Sequence, residues 1–339
     1  MSNREHRSFN NDIKLETYIK DYPQYVADYY YSLHLEQRSK NTYVKTVCSA
    51  LEYMKNQGED INSFHWVTVT NVNRYLHTIE KTKRFGEEKR TSFSYQKLVW
   101  SCLNSFFKFL LSIDSIKENP MDKIQRAKGK DNVKRVYMSR DDIHNVINSI
   151  IQSDSTWKFR DIVIVKIMLQ TGIRSTALLD IDINDITFNL YNRYMPLTYD
   201  NIESMQIKVI DKNNQYFEYY LTRDTAVDVY NWLLDRELKL DGNKTDALFI
   251  SNKFTRLTLH GLEKVIEKLS PIIGGKQITP HKYRATFGTL LYQNTKDIHY
   301  VQRQMHHSSP DTTQIYIVND NGDSVRAAEL MGDIIGKAI

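Results

Sequence analysis

Six polar residues in the carboxy-terminal half of this chain have types and spacings suited to chemistry on an anion: Arg174, Lys212, His281, Arg284, His307 and Tyr316. Each falls at the edge of an expected element rather than on a solvated face. His281 and Arg284, in TPHKYRATFGT, stand three positions apart, so on a helix they share a face and can address one ligand together. Arg174 follows Thr171-Gly172, where a helical pattern stops, and a side chain leaving a helix end can enter a cleft. Two guanidiniums on one anion form a charge-assisted donor set shaped for a phosphodiester. Any one of these residues alone is more often a surface or satisfied core residue, and the joint pattern carries the signal. The histidines His281, His299, His306 and His307 lack the paired Cys or HExxH spacing of a zinc site, so no metal and no other cofactor is assigned.

The elements that must position these residues form two parts. Residues 1–14 are polar and aperiodic and read as a frayed terminus. From Leu15 onward four helical stretches follow. One runs through Tyr18, Tyr25, Val26 and Tyr29, and a second through Tyr43, Val47, Ala50, Leu51 and Met54, with Ser39 or Asn41 as its cap. A third spans Thr70 to Ile79, and the polar stretch KTKRFGEEKRTS separates it from a fourth. In that fourth helix Tyr95, Leu98, Val99, Cys102, Leu103, Phe106, Phe109 and Leu110 recur at steps of three and four, with Lys97, Ser101 and Lys108 on other faces. An all-helical domain over 15–122 is therefore expected.

A basic linker over 123–136 comes next: KIQRAKGKDNVKR holds Lys123, Arg126, Lys128, Lys130, Lys134 and Arg135 against the single acid Asp131. Gly129 and the scarcity of apolar residues mark it as a tether rather than a packed element. Ser139 with Asp141 and Asp142 then opens a helix as an N-cap followed by acids in the first turn. The second domain, 137–339, holds an apolar helix from Asp161 to Thr171 stopped by Gly172 and another from Ser175 with Leu178, Leu179 and Ile181. Three β-like runs follow, Ile186 to Leu190, Met205 to Ile210 and Gln215 to Leu221. The last two flank DKNN, which reads as a hairpin turn with Lys212 at its tip. Helical pattern then dominates from Asp224 onward, broken at Gly274-Gly275 and Pro280.

At 339 residues the chain has room for two ordinary domains. Cys48 and Cys102 sit far apart inside helical patterns, as small apolar fillers do, and no signal peptide or long uncharged apolar run is present. A reducing, cytoplasmic setting without a membrane is expected. The net charge of +5, with a sequence pI near 8.8, suits a polyanion but does not prove one.

The six residues sit in flanking sequence that resembles the tyrosine recombinase, or phage integrase, family. That family carries an Arg in a TG(L/I/M)R context, a Lys in a β-hairpin, an HxxR, and a His nine residues before a nucleophilic Tyr. This chain reads LQTGIRSTALLDI at Arg174, VIDKNNQYFEYYL at Lys212, TPHKYRATFGTLL at His281 and Arg284, and VQRQMHHSSPDTTQIYI at His307 and Tyr316, the last two nine apart. SYQKLVWSCLNSFFKFLL followed by ENPMDKI is similar, more loosely, to the last helix and exit of the family's helical core-binding domain. Two departures stand out. His306 occupies the place where the family usually has Gly, and His307 is chosen by its spacing to Tyr316. Asp211 and Asn213 flank Lys212 where glycines are usual, which leaves Lys208 as a second candidate.

The resemblance implies a mainly α protein with a small β-sheet: a helical core-binding domain plus an α+β catalytic domain, forming a C-shaped clamp on DNA. It implies a site-specific recombinase that cleaves and rejoins strands through a 3′-phosphotyrosine on Tyr316. A phenol is a weak nucleophile at neutral pH, so His281 is assigned to help take its proton. Arg174, Arg284 and His307 are assigned to the non-bridging oxygens and Lys212 to protonation of the leaving 5′-oxygen. The implied partners are double-stranded DNA carrying a specific recombination site and further copies of the chain, as a tetramer on two sites. In that light Lys128, Lys130, Lys134 and Arg135 become DNA contacts, and Lys40, Lys45, Thr91 and Lys97 plausible ones. A bacterial or phage-encoded, nucleoid-associated protein serving a mobile element, an inversion or chromosome resolution fits. A topoisomerase IB-like relaxing enzyme and a non-cutting DNA-binding protein of the same fold are the alternatives. The apolar spacing in AAELMGDIIGKAI suits a helix docking either in cis or on a neighbouring copy.

Overall fold

The computed structural model describes residues 17–84, 87–129, 137–210, 216–269, 273 and 278–306. The expected frayed terminus, the turn DKNN, Gly274-Gly275 and the AAELMGDIIGKAI segment lie outside the described residues. The chain divides into two compact units, Met1–Lys134 and Arg135–Ile339.

The first unit is built on helices α1 (Gln24–Ser32), α2 (Gln37–Asn56), α3 (Val69–Glu80) and α4 (Phe93–Ser112). α1 buries Tyr25, Val26, Tyr29 and Tyr30, and Tyr29 meets Phe106 edge-on with centroids 5.2 Å apart. α3 and α4 start on side-chain caps: the Thr68 and Ser92 hydroxyls accept from the Asn71 and Tyr95 N–H groups. α2 does not follow the expected capping. Its N-cap is Glu36, without a side-chain hydrogen bond, so Ser39 and Asn41 lie within the helix rather than at its start.

The face of α4 also differs from expectation. Val99, Cys102, Leu103, Phe106, Phe107 and Leu110 are buried, whereas Tyr95 is 46% and Leu98 40% exposed. Leu98 lies at the margin of the buried arc and Tyr95 in the first turn of the helix. Gln96 is buried instead, where its amide donates to the Thr91 carbonyl at 3.2 Å. Cys48 and Cys102 are buried, free thiols pushed up to about 12 and about 11 by burial.

The polar stretch between α3 and α4 is not unstructured: β1 (Lys81–Arg84) and β2 (Glu87–Arg90) pair antiparallel, with Lys81 opposite Arg90. The described part of the basic stretch is also packed. Ile124 is buried and its carbonyl accepts from the Trp100 indole at 3.2 Å. Arg126 lies over the Trp100 ring and donates to the Ser101 hydroxyl, and Lys97 donates to the Gly129 carbonyl at 2.7 Å. Residues 123–129 are thus laid along α4, because their backbone carbonyls find donors there that composition does not reveal.

The second unit begins at α5 (Arg140–Gln152), started by a reciprocal capping box between Ser139 and Asp142. α6 (Lys158–Thr171) buries Ile162, Val163, Ile164, Val165, Ile167 and Met168 around most of its circumference, which makes it the central helix. Each fully buried aliphatic side chain there contributes roughly 1.5–3 kcal/mol. The short α7 (Ser175–Asp180) follows. Strands β3 (Ile186–Leu190), β4 (Ile202–Ile210) and β5 (Tyr216–Thr222) form an antiparallel sheet in that order. Met205, Ile207 and Val209 pair with Leu221, Tyr219 and Phe217 on its inner face. The remaining helices are α8 (Arg223–Leu240), α9 (Leu259–Glu267), α10 (Pro280–Thr295) and α11 (Ile298–Gln304). The architecture is the mainly α one expected, with one small three-stranded sheet among the described residues of the second unit.

Candidate active site

The site starts at the carboxy end of α6. The Thr171 hydroxyl donates to the Ile167 carbonyl and accepts from the Ile173 N–H, which turns the chain out of the helix. Gly172 takes the left-handed conformation, φ 61°, and its N–H closes on the Met168 carbonyl at 3.0 Å. Two residues on, Arg174 is the extended N-cap of α7, its carbonyl accepting from the Leu178 N–H. A helix end and a helix start therefore fix the Arg174 backbone on both sides.

Arg284 comes from the first turns of α10, where Pro280 occupies the opening position. It is 4% exposed, and its guanidinium donates to the carbonyls of Gly172 and Met305. Arg174 donates to the next carbonyl, His306, at 3.3 Å. The two arginines thus meet across the α6 end and the turn that follows α11. These bonds orient both planar guanidinium groups.

Two imidazoles report on the local field. His281 sits one turn before Arg284 on α10, with an edge open to solvent. Burial and the Arg284 charge hold it below the usual histidine range. His306 lies in left-handed backbone, φ 50°, and its ring stacks on Phe217 with centroids 3.8 Å apart and meets Tyr219 edge-on at 5.4 Å. Burial first, then Arg284 and Arg174, lower it to about 4. The Tyr219 phenol is pushed up by burial and partly pulled back by the same two arginines. Neutral imidazoles near the Arg174 and Arg284 guanidiniums make this a positively charged neighbourhood suited to an anion.

Arg174, His281 and Arg284 are therefore brought into one neighbourhood, whereas Lys212, His307 and Tyr316 lie outside the described residues. Lys208, the second lysine candidate, is on β4 with its ammonium 3.7 Å from Glu218 across the strand pair. Among the residues assigned to DNA, Lys45 and Lys128 are exposed, and Lys40 lies over the Tyr30 ring. Lys97 is occupied by Gly129, and the Thr91 hydroxyl donates to the Ile79 carbonyl at 2.6 Å. Thr91 is thereby a structural tie at the helix–hairpin junction. Lys130, Lys134 and Arg135 lie outside the described residues.

Sequence reasoning missed the partners of His306. Phe217 and Tyr219 read only as strand residues, and the one available signal was the presence of His306 where the similar family has Gly.

The phage integrase family model matches residues 138–322, more than half of the chain. The chain belongs to that family and is a tyrosine recombinase. The tyrosine recombinase XerD of Oceanobacillus iheyensis is 23% identical over 298 residues, 86% of this chain and 92% of the relative. XerC of Pediococcus pentosaceus is 26% identical over 223 residues, 64% of this chain and 68% of the relative. Among solved structures, the XerH site-specific recombinase bound to palindromic difH substrate aligns with a TM-score of 0.68 at 22% identity, covering 88% of this chain and 81% of that one. A lambda integrase dimer bound to a core site aligns at 0.59 with 13% identity, covering 88% and 95%. At these identities the likenesses establish a shared fold.

Proposed function

We propose that this tyrosine recombinase cuts and rejoins DNA at a specific recombination site through Tyr316, with Arg174, Lys212, His281, Arg284 and His307 as the supporting groups. The observation that carries the reading is the pair of guanidiniums, Arg174 and Arg284, drawn together from separate elements over the end of α6.

In the first step the Tyr316 oxygen attacks phosphorus, the bond to the 5′-oxygen breaks, and a 3′-phosphotyrosine forms. The phenolic proton passes to His281, whose lowered proton affinity keeps it unprotonated, and so able to accept, at neutral pH. Lys212 gives a proton to the departing 5′-oxygen. Arg174 and Arg284 donate to the non-bridging oxygens, and His307 adds a further hydrogen bond. Rejoining reverses the path, with the 5′-hydroxyl of a partner strand attacking the phosphotyrosine. No cofactor enters this scheme, because one phosphodiester is exchanged for another of similar energy.

Both units take part in binding the duplex, with exposed Lys45 and Lys128 among the phosphate contacts. Four copies on two sites carry out strand exchange, in a cytoplasmic, nucleoid-associated setting. A recombinase of a mobile element, inversion switch or chromosome-resolution system fits this reading.

A nicked suicide substrate carrying the bound site tests it. Wild-type protein is expected to form a covalent adduct on denaturing gels, and Tyr316→Phe none. Wild-type protein that binds the site without an adduct refutes cleavage and leaves a DNA-binding protein. Relaxation of plasmids without exchange between two sites indicates a topoisomerase-like activity instead.

A further inference from the structure

We infer that His306 is a positioning residue: its ring, held on Phe217 and Tyr219, fixes the Met305–His306 turn whose two carbonyls orient Arg284 and Arg174. The inference rests on the proposed cleavage reaction and names a residue outside its six groups.

Three observations carry it. The guanidinium of Arg284 donates to the Met305 carbonyl and that of Arg174 to the His306 carbonyl, so successive peptide groups of one turn hold both arginines. That turn sits at the end of the short α11, with the His306 backbone at φ 50°. An L side chain is strained in this conformation and a glycine is not, so a residue with a side chain here needs a compensating contact. The contact is present: the imidazole lies 3.8 Å from the Phe217 ring at 29° between planes, with Tyr219 edge-on at 5.4 Å. The edge contact with Tyr219 is a favourable aromatic geometry, and the stacked contact with Phe217 brings apolar ring surface together. Phe217 and Tyr219 are inward residues of β5, paired to Val209 and Ile207 of β4. Anchorage on a sheet packed into the core gives the turn a rigid reference that α11, seven residues long, does not supply.

The ring therefore acts through stacking, and its nitrogens are dispensable. Misplacement of groups around a reacting phosphorus by a fraction of an ångström to an ångström costs on the order of 10–100-fold in rate. His306→Gly removes the ring and relieves the backbone strain, so the variant should fold. Single-turnover cleavage of the suicide substrate is expected to fall by about 10–100-fold, with site DNA bound at wild-type affinity. His306→Phe keeps a stackable ring without donors and is expected to cleave within about 3-fold of wild type. Phe217→Ala should reproduce the loss, and the His306→Gly/Phe217→Ala double variant should lose no more than either single change.

His306→Gly cleaving at the wild-type rate overturns the inference. So does His306→Phe losing as much as His306→Gly, which would assign the role to the imidazole nitrogens. Failure of wild-type protein to form the adduct is a separate result and counts against the proposed function, so the two failures are distinguishable.

Discussion

The guanidinium of Arg284, on α10, donates to the main-chain carbonyl of Gly172, which ends α6 112 positions earlier. The same Gly172 needs left-handed backbone to deliver Arg174, so one residue orients both arginines. A Cβ at Gly172 would also collide with the Phe287 ring. Gly172→Ala should therefore cost about 2 kcal/mol, the scale of a non-glycine residue forced into this region plus displacement of the ring. Gly242, φ 86° with open space around it, serves as the control. Thermal denaturation should place Gly172→Ala several degrees below Gly242→Ala, and equal midpoints contradict the argument.

Arg284 itself should not tolerate lysine. A single ammonium cannot serve the Gly172 and Met305 carbonyls and also present a planar pair of donors to phosphate. Arg284→Lys is expected to slow covalent adduct formation by about 100-fold, the worth of a lost charge-assisted interaction of roughly 1.5–3 kcal/mol. Band-shift affinity should change far less. A lysine variant that cleaves normally removes the arginine from the proposed chemistry.

The pH dependence has a defined sign. His306 protonates at about 4 when folded and near 6.5 when unfolded. Between those values the unfolded chain binds the extra proton, so stability is intact above pH 6.5 and declines as pH falls toward 4. His281 contributes in the same direction. Partly buried Asp161 and Asp228, whose carboxyls are raised by desolvation, work the opposite way, so the comparison must be with His306→Phe. Urea denaturation at pH 7 and pH 5 should show a smaller drop for His306→Phe than for wild type. An equal drop in both excludes the imidazole as its source.

Exposed lysines in the first unit should act on DNA affinity through phosphate. Lys45→Ala and Lys128→Ala are each expected to weaken binding similarly on any sequence and to reduce the slope of log affinity against log salt by about 1. Thr91→Val should leave that slope unchanged and lower stability by about 1 kcal/mol, since its hydroxyl ties the α3 end to α4. A salt slope unaffected by both lysine changes removes them from the interface.

Residue types in order, caps and periodicity are local properties, and the sequence by itself determined them. Ser139 with Asp142 marks the start of α5 because both partners of a capping box lie within one turn. Gly172 marks the end of α6 because few other residues adopt its backbone. The alternation along β4 and β5 follows from a period of two. The family pattern of Arg174, His281 and Arg284 was legible for the same reason, as fixed spacings in one dimension.

Only the tertiary structure decided which groups those residues meet. The bonds from Arg284 to Gly172 and from Arg174 to His306 span 112 and 132 positions, and no local rule reaches that far. The stacking of His306 on Phe217 depends on where α11 settles against the sheet, which the packing of a whole core sets. Residues 123–129 look like a tether because their polar side chains satisfy no pattern. Their carbonyls instead find Lys97 and Trp100 on α4, a match between backbone and a distant helix that composition cannot encode.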